Sequence, residues 1–312
     1  MKVFVFDPLW PQLLTAEHSQ LFRKLDVEII LATKSAPLHD CKNLFSGTEP
    51  RVLAINPDYV HWALPAEDFK DIPQLKAIIT ASTSYGWIDT KFAAAQQIPV
   101  INIRNFSTDA VADWGVLMML NLARKIPLLL KNDFPLNNGS DFQAYQGISL
   151  TEKKVGVIGF GHIGQAFAQR CHGLGMEVHY WNRSPKQTTY SFLELVSLFK
   201  ECDVIFHCLA DNEDTKAIIT DDMLGTIKPE AIFLNIAEKN YNHKLLLERV
   251  ANQTLFGYGF EDGPNCFNKY TGNVWAAPAY AWCTNHSLQN AMNAFVLAIA
   301  NAAQGNFNDR VN

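Results

Sequence analysis

The sequence predicts an α/β protein with two doubly wound parallel-sheet domains. Short apolar runs rich in branched side chains alternate with longer mixed segments over residues 1–103, and a second such series begins near Lys154. This alternation is typical of parallel strands joined by crossover helices. A chain of 312 residues is also long for one core and comfortable for two.

The apolar runs give the predicted strands in order. The first series comprises Val3–Phe6, Val27–Leu31, Val52–Ile55, Ala77–Thr80 and Val100–Ile103. The second comprises Val155–Ile158, Glu177–Trp181, Val204–Cys208, Ile232–Asn235 and Leu255–Gly257. Between them, Ser107 and Thr108 open a helix that runs toward Pro127. It is apolar on most faces and is therefore expected to be buried between domains or subunits. A last core-facing helix starts at Thr284 and is closed by Gly305.

The composition argues against several functions. The formal net charge is -5 and the basic residues are scattered, so no surface is expected to hold nucleic acid or an anionic membrane. No run provides the roughly 20 apolar residues that a spanning helix needs, and the first residues lack a signal-peptide pattern. The six cysteines show no CxxC pair or framework spacing. These features predict a cytoplasmic protein with no metal site and no nucleic-acid or membrane partner.

A glycine-rich segment between a predicted strand and a predicted helix carries the clearest functional signal. It reads Gly159-Phe160-Gly161-His162-Ile163-Gly164. The first glycine permits a tight turn, the second lets the backbone approach a pyrophosphate, and the third lets the helix pack close to the strand. The helix N-terminus supplies partial positive charge for the phosphates. The segment therefore predicts a dinucleotide cofactor site, against the alternative of a glycine turn without a ligand.

The residues after the next strand bear on the choice of cofactor. An acidic side chain there would bind the ribose 2′-OH of NAD, but the sequence has Asn182, Arg183 and Ser184. These side chains do not repel a 2′-phosphate and are able to bind one, which favours NADP over NAD. The alternative is that Arg183 is an ordinary solvated charge. We also assign Cys208, Leu209 and Ala237, at or near the ends of the next two strands, to the cofactor site.

Four segments resemble the D-isomer-specific 2-hydroxyacid dehydrogenases, particularly the glyoxylate/hydroxypyruvate reductase branch. They are Thr108–Asp113, the glycine segment Val155–Gly164, Met223–Asn235, and a closing motif with Pro278, Ala281 and Trp282. The resemblance implies a flavodoxin-like substrate domain built from both chain ends (1–103 and 283–312). It also implies an inserted Rossmann cofactor domain (104–282) and a homodimer formed around a helix near 107–127.

The resemblance also implies a catalytic Arg, Glu and His, and this sequence has none of the three at the matching positions. The flanking residues place the Arg position on Glu238, the Glu position on Gly263 and the His position on Ala279. A shift of one residue would recover Glu261 or Asp262 as an acid. Glu238 would repel a substrate carboxylate.

Other residues offer weaker candidates. Tyr280 is a possible proton donor, although a lone tyrosine is more often a packed aromatic. Ser82, Thr83 and Ser84 follow a predicted strand and form a candidate substrate loop, although polar loops at strand ends are common without ligands. Two functions follow: an NADP-linked oxidoreductase with a rearranged site, acting on a small carbonyl or hydroxy compound, or a non-catalytic NAD(P)-binding sensor or interaction protein.

Overall fold

The computed structural model describes residues 1–132, 142–210, 214–307 and 309–312. The chain divides into two compact units. The terminal unit comprises Met1–Ser107 and Thr284–Asn312, and the central unit comprises Thr108–Cys283.

The strands of the described residues are all short. They are β1 Lys2–Phe6, β2 Glu28–Ala32, β3 Arg51–Ile55, β4 Leu75–Thr80, β5 Val100–Asn102, β6 Lys154–Ile158, β7 Glu177–Trp181, β8 Ser191–Phe192, β9 Val204–His207, β10 Ile232–Asn235, β11 Gly257–Asp262 and β12 Val274–Pro278.

The helices vary more in length. They are α1 Trp10–Leu13, α2 Ala16–Lys24, α3 Ala66–Phe69, α4 Thr90–Ala95, α5 Thr108–Ala123, α6 Ile126–Lys131, α7 Phe142–Tyr145, α8 His162–Gly173, α9 Leu195–Glu201, α10 Asp221–Gly225, α11 His243–Ala251 and α12 Asn285–Ala303.

The terminal unit is a parallel sheet in the order β2-β1-β3-β4-β5. Successive side chains of a strand point to opposite faces, and β1 fills two separate cores in this way. Val3 and Val5 pack with Phe295 and Ile299 of α12, while Phe4 belongs to the core on the other face. Helical segments therefore cover both faces, as in a doubly wound fold.

The central unit is a parallel sheet in the order β12-β11-β10-β9-β6-β7-β8. The chain proceeds from β6 outward to β8 and then crosses back to β9 on the other side of β6. This reversal creates a crevice outside the carboxyl ends of β6 and β9, which is where open α/β sheets bind ligands. The prediction of two doubly wound parallel sheets is confirmed.

Several predicted boundaries were wrong. The strand expected at Leu255–Gly257 lies at β11, and β8 and β12 were not predicted. The helix expected to continue to Pro127 ends at Ala123, because Lys125 adopts a left-handed backbone with φ of 51° and Pro127 lies in the first turn of α6. None of the described helices is long and apolar enough to cross a membrane.

Candidate functional site

The turn after β6 lies against the end of β9. Gly159 has φ of +98°, a backbone conformation that favours glycine. A Cβ on Gly159 would lie 3.0 Å from the carbonyl oxygen of Cys208 and 3.0 Å from the nitrogen of Leu209. Glycine is therefore needed both for the turn and for the close approach of the two strands that flank the crevice.

The other two glycines of the turn have different surroundings. A Cβ on Gly164 would lie 2.1 Å from the carbonyl oxygen of Gly159, so α8 packs directly on the turn. Gly161 is the N-cap of α8, and no atom lies within 4 Å of the place of its Cβ. No side chain caps this helix end. The first N–H groups of α8, beginning with exposed His162 and half-buried Ile163, are placed to bind an anion.

The residues after β7 are tied to the same turn. The N–H of Phe160 donates to Asn182 Oδ1 at 3.3 Å, and Asn182 Nδ2 donates to the carbonyl of Ser184 at 3.2 Å. The Phe160 ring is buried and stacks on Tyr180 with centroids 4.1 Å apart, so its side chain belongs to the core. Arg183 is exposed and forms an ion pair with exposed Asp214 at 2.9 Å.

The ends of β9 and β10 carry a buried polar pair that sequence reasoning missed. His207 Nδ1 lies 2.5 Å from Asn235 Oδ1, and Asn235 Nδ2 donates to the carbonyl of Ala237 at 2.6 Å. Because the Asn235 oxygen is an acceptor, His207 carries its proton on Nδ1. Burial lowers the pKa of His207 despite this bond. His207 is a buried residue of β9. A single histidine in an apolar run does not indicate a buried polar pair, so the sequence alone did not reveal it.

Cys208 packs against the glycine turn. Its Sγ lies 3.0 Å from the carbonyl oxygen of Gly159, and burial raises the pKa of the thiol. Both features describe a packed thiol rather than a nucleophile.

The three positions matched to the family's catalytic residues lie beyond the carboxyl ends of adjacent strands. Glu238 follows β10, Gly263 follows β11 and Ala279 follows β12, and all three residues are exposed. Glu238 lines a small cleft together with His207. A Cβ on Gly263 would meet nothing within 4 Å.

The two acids next to Gly263 are already engaged. Glu261 Oε1 accepts a hydrogen bond from the N–H of Ala281 at 3.0 Å, and burial raises the pKa of this carboxyl. Asp262 Oδ2 accepts from the Tyr270 hydroxyl at 2.5 Å and pairs with Lys269 at 3.4 Å. Burial opposes the effect, but these partners lower the pKa of Asp262.

In the terminal unit, the loop after β4 holds three successive carbonyl groups inward. The Ser82 carbonyl accepts from the N–H of Ile103 at 3.2 Å, and the Thr83 carbonyl accepts from Asn102 Nδ2 at 2.6 Å. The Ser84 carbonyl accepts from Ser82 Oγ at 2.6 Å and from Trp87 Nε1 at 3.0 Å. In a trans peptide the N–H points opposite to the carbonyl. The loop therefore presents the N–H groups of residues 83–85 outward, and no acceptor for them lies among the described residues. We call residues 82–85 the amide loop.

In the part of the chain that the structure describes, no group of three or more His, Cys, Asp or Glu side chains is arranged to hold a metal ion.

The glycine turn at the point where the strand order reverses defines the central unit as an NAD(P)-binding Rossmann domain. The model of the D-isomer specific 2-hydroxyacid dehydrogenase, NAD binding domain, matches residues 116–264. The 2-ketogluconate reductase of Gluconobacter oxydans is 32% identical over 210 residues, which are 65% of this chain and 67% of that protein. The chain belongs to the D-isomer specific 2-hydroxyacid dehydrogenase family.

Other similar proteins carry different substrate names. The glycerate dehydrogenase of Methylorubrum extorquens is 27% identical over 72% of this chain and 74% of its own length. Among solved structures, an acyclic imino acid reductase in complex with NADPH and D-Arg has a TM-score of 0.81 at 22% identity, with 100% of this chain and 99% of that chain covered. At that identity the likeness concerns the fold alone.

Proposed function

We propose that this protein is an NAD(P)-dependent reductase of a small 2-oxo acid, with an active site that departs from the family's usual residues. The observation that carries the proposal is the glycine turn at the crevice between β6 and β9, where Gly161 leaves open space before an uncapped helix end. In this proposal the central unit binds the cofactor and the terminal unit binds the substrate.

The amide loop supports a carboxylate-bearing substrate. Its outward N–H groups form a concentration of donors that attracts an anion without any charged side chain. Buried Ser82 holds the Ser84 carbonyl inward and so fixes the direction of the neighbouring N–H. The side chains of Thr83 and Ser84 are exposed and are not required for this role.

The atypical site is proposed from the three exposed positions Glu238, Gly263 and Ala279. At these positions the family's groups are absent: the Glu238 carboxylate cannot clamp a substrate carboxylate as an arginine does, Gly263 has no side chain to orient a histidine, and the methyl group of Ala279 has no proton to transfer. Glu261 does not replace the missing acid, since it is hydrogen-bonded to the N–H of Ala281.

A preference for NADPH over NADH is part of the proposal. Asn182 carries no charge, and its Oδ1 accepts a hydrogen bond from the N–H of Phe160 in the glycine turn. Arg183 is exposed beside it and is able to leave Asp214 for a 2′-phosphate, because exposed ion pairs contribute only about 0–1 kcal/mol.

The test combines cofactor titration with a turnover assay. We expect tight NADPH binding by fluorescence and slow oxidation of NADPH in the presence of glyoxylate, hydroxypyruvate or phenylpyruvate. Tight cofactor binding without turnover of any 2-oxo acid would instead support the non-catalytic NAD(P)-binding protein. Absence of binding to both cofactors would contradict the proposed cofactor site.

A further inference from the structure

Tyr280 lies on a hydrogen-bonded turn, immediately after the position matched to the family's histidine. Its side chain is 61% exposed. The N–H of Tyr280 donates to the Pro278 carbonyl at 2.7 Å, and the Tyr280 carbonyl accepts from the N–H of Cys283 at 2.9 Å. Trp282 Nε1 donates to the Ala279 carbonyl at 3.1 Å. The backbone that carries the phenol is thus held on both sides while the ring remains accessible.

Glu261 anchors this turn to the neighbouring strand. It lies level with Ala277 in the pairing of β11 with β12. Besides the bond from Ala281 N, its carboxylate is stabilised by the N–H of Tyr280 and by the Lys239 ammonium, which oppose the rise in pKa that burial causes. Lys239 Nζ also donates to the Glu261 carbonyl at 2.8 Å. Groups at the ends of β10, β11 and β12 are therefore connected to the backbone turn that carries Tyr280.

Other proton-carrying groups of the central unit are less suited to reach a substrate. His243 Nδ1 lies 2.6 Å from the Tyr258 hydroxyl, which lies 2.8 Å from the Tyr241 hydroxyl. Tyr258 is fully buried in this chain of bonds. His207 is buried and, with its proton on Nδ1, offers an acceptor rather than a donor at Nε2. Tyr280 is exposed, and no hydrogen bond to its hydroxyl occurs among the described residues.

We propose that Tyr280 is the proton donor of the reduction and that Glu261 is a positioning residue for it. The inference rests on the proposed reductase function. The carbonyl carbon of the 2-oxo acid gains a hydride from the dihydronicotinamide of NAD(P)H, and the C=O double bond becomes a single bond. The carbonyl oxygen takes the phenol proton of Tyr280, and water returns a proton to the phenolate. The acid is reduced to a 2-hydroxy acid and the cofactor is oxidised.

The first experiment removes the hydroxyl group of Tyr280 and keeps the aromatic ring. Tyr280→Phe should lower kcat by about 10²–10⁴-fold, the range for loss of a positioned general acid. NADPH affinity should stay within about twofold, because the substitution removes one exposed oxygen. Tyr145→Phe in α7 is the matched control and should retain wild-type kcat.

A second variant changes the pH at which the donor is lost. Phenols ionise near pH 10 and imidazolium near pH 6.5. Tyr280→His should therefore restore part of the activity that Tyr280→Phe loses, and its rate should fall with rising pH several pH units below the pH at which the wild-type rate falls. Glu261→Gln should lower kcat with little change in KM, and it should not change the pH at which the rate falls.

The outcomes separate this inference from the function beneath it. If the wild type reduces a 2-oxo acid and Tyr280→Phe keeps both its kcat and its pH profile, Tyr280 is not the donor, while the reductase function stands. If the wild type reduces none of the 2-oxo acids although it binds NADPH, the reductase function fails and the assignment of Tyr280 fails with it.

Discussion

Substitution of Gly164 by alanine should destabilise the central unit before any cofactor is added. The new Cβ would lie 2.1 Å from the carbonyl oxygen of Gly159, whereas even tight contacts of this kind need about 3 Å. The obstacle is main chain, so α8 or the turn must move by roughly 1 Å. Overpacking costs about 1–3 kcal/mol, and a rigid obstacle favours the upper end. For a unit of this size, about 3 kcal/mol corresponds to a fall in Tm of about 6–12 °C.

Gly161 supplies the matched control. No atom lies within 4 Å of its missing Cβ, and its φ of −81° suits alanine. Gly161→Ala should change the Tm of the apo protein by only a few degrees, because the loss at an N-cap is below about 1 kcal/mol. It should nevertheless weaken NADPH binding, since the added methyl group occupies the space before the helix end where the pyrophosphate is proposed to lie.

The assay is thermal unfolding of both apo variants followed by fluorescence titration with NADPH. Two results would refute the reasoning. An unchanged Tm for Gly164→Ala would show that the turn and the helix are not in close contact. Wild-type NADPH affinity for Gly161→Ala would show that the cofactor does not approach the backbone there.

Three further predictions follow from the central unit. Arg183→Ala should weaken NADPH binding by about 10-fold or more and leave NADH unchanged, whereas Asp214→Asn should strengthen NADPH binding; equal responses of the two cofactors in fluorescence titration would refute this. Light scattering should give twice the monomer mass of 35.0 kDa, and Leu117→Asp, at a residue of α5 that is 42% exposed, should give a monomer; a monomeric wild type would reject the predicted dimer. A triple variant that combines Glu238→Arg, Gly263→Glu and Ala279→His should raise the steady-state rate of 2-oxo acid reduction, whereas each single change should do little. An unchanged rate for the triple variant would show that these are not the positions of the family's Arg, Glu and His.

The sequence predicted the elements whose causes are local. β7 and β10 were placed with their observed bounds because each is a short run rich in apolar and aromatic residues. β11 was misplaced because it contains Gly257 and Gly259, which strands disfavour. A Cβ on Gly259 would lie 3.1 Å from side-chain atoms of Leu122 and of Leu234. The glycine is there to admit a helix that is distant in sequence, and no local pattern reveals that contact.

The site shows the same division. The positions of Gly159 and Gly164 follow from the shape of a turn between a strand and a helix, so the spacing alone indicated them. The bond from Ala281 to Glu261 depends on the pairing of β11 with β12, and β12 was not predicted. The sequence therefore left Glu261 as a possible replacement acid, whereas in the structure its carboxylate is hydrogen-bonded to the turn after β12.

If the amide loop binds a carboxylate as proposed, its inward carbonyl groups determine which residues control the affinity for that anion. The donors belong to the main chain, so alanine at position 83 or 84 would remove nothing that an anion touches. The residues that aim those donors are Ser82, Asn102 and Trp87, through their bonds to the carbonyls. Alanine substitution of the exposed residues Thr83 and Ser84 would therefore not reveal such a site. Its genetic signature would instead appear at buried and half-buried positions that never meet the ligand.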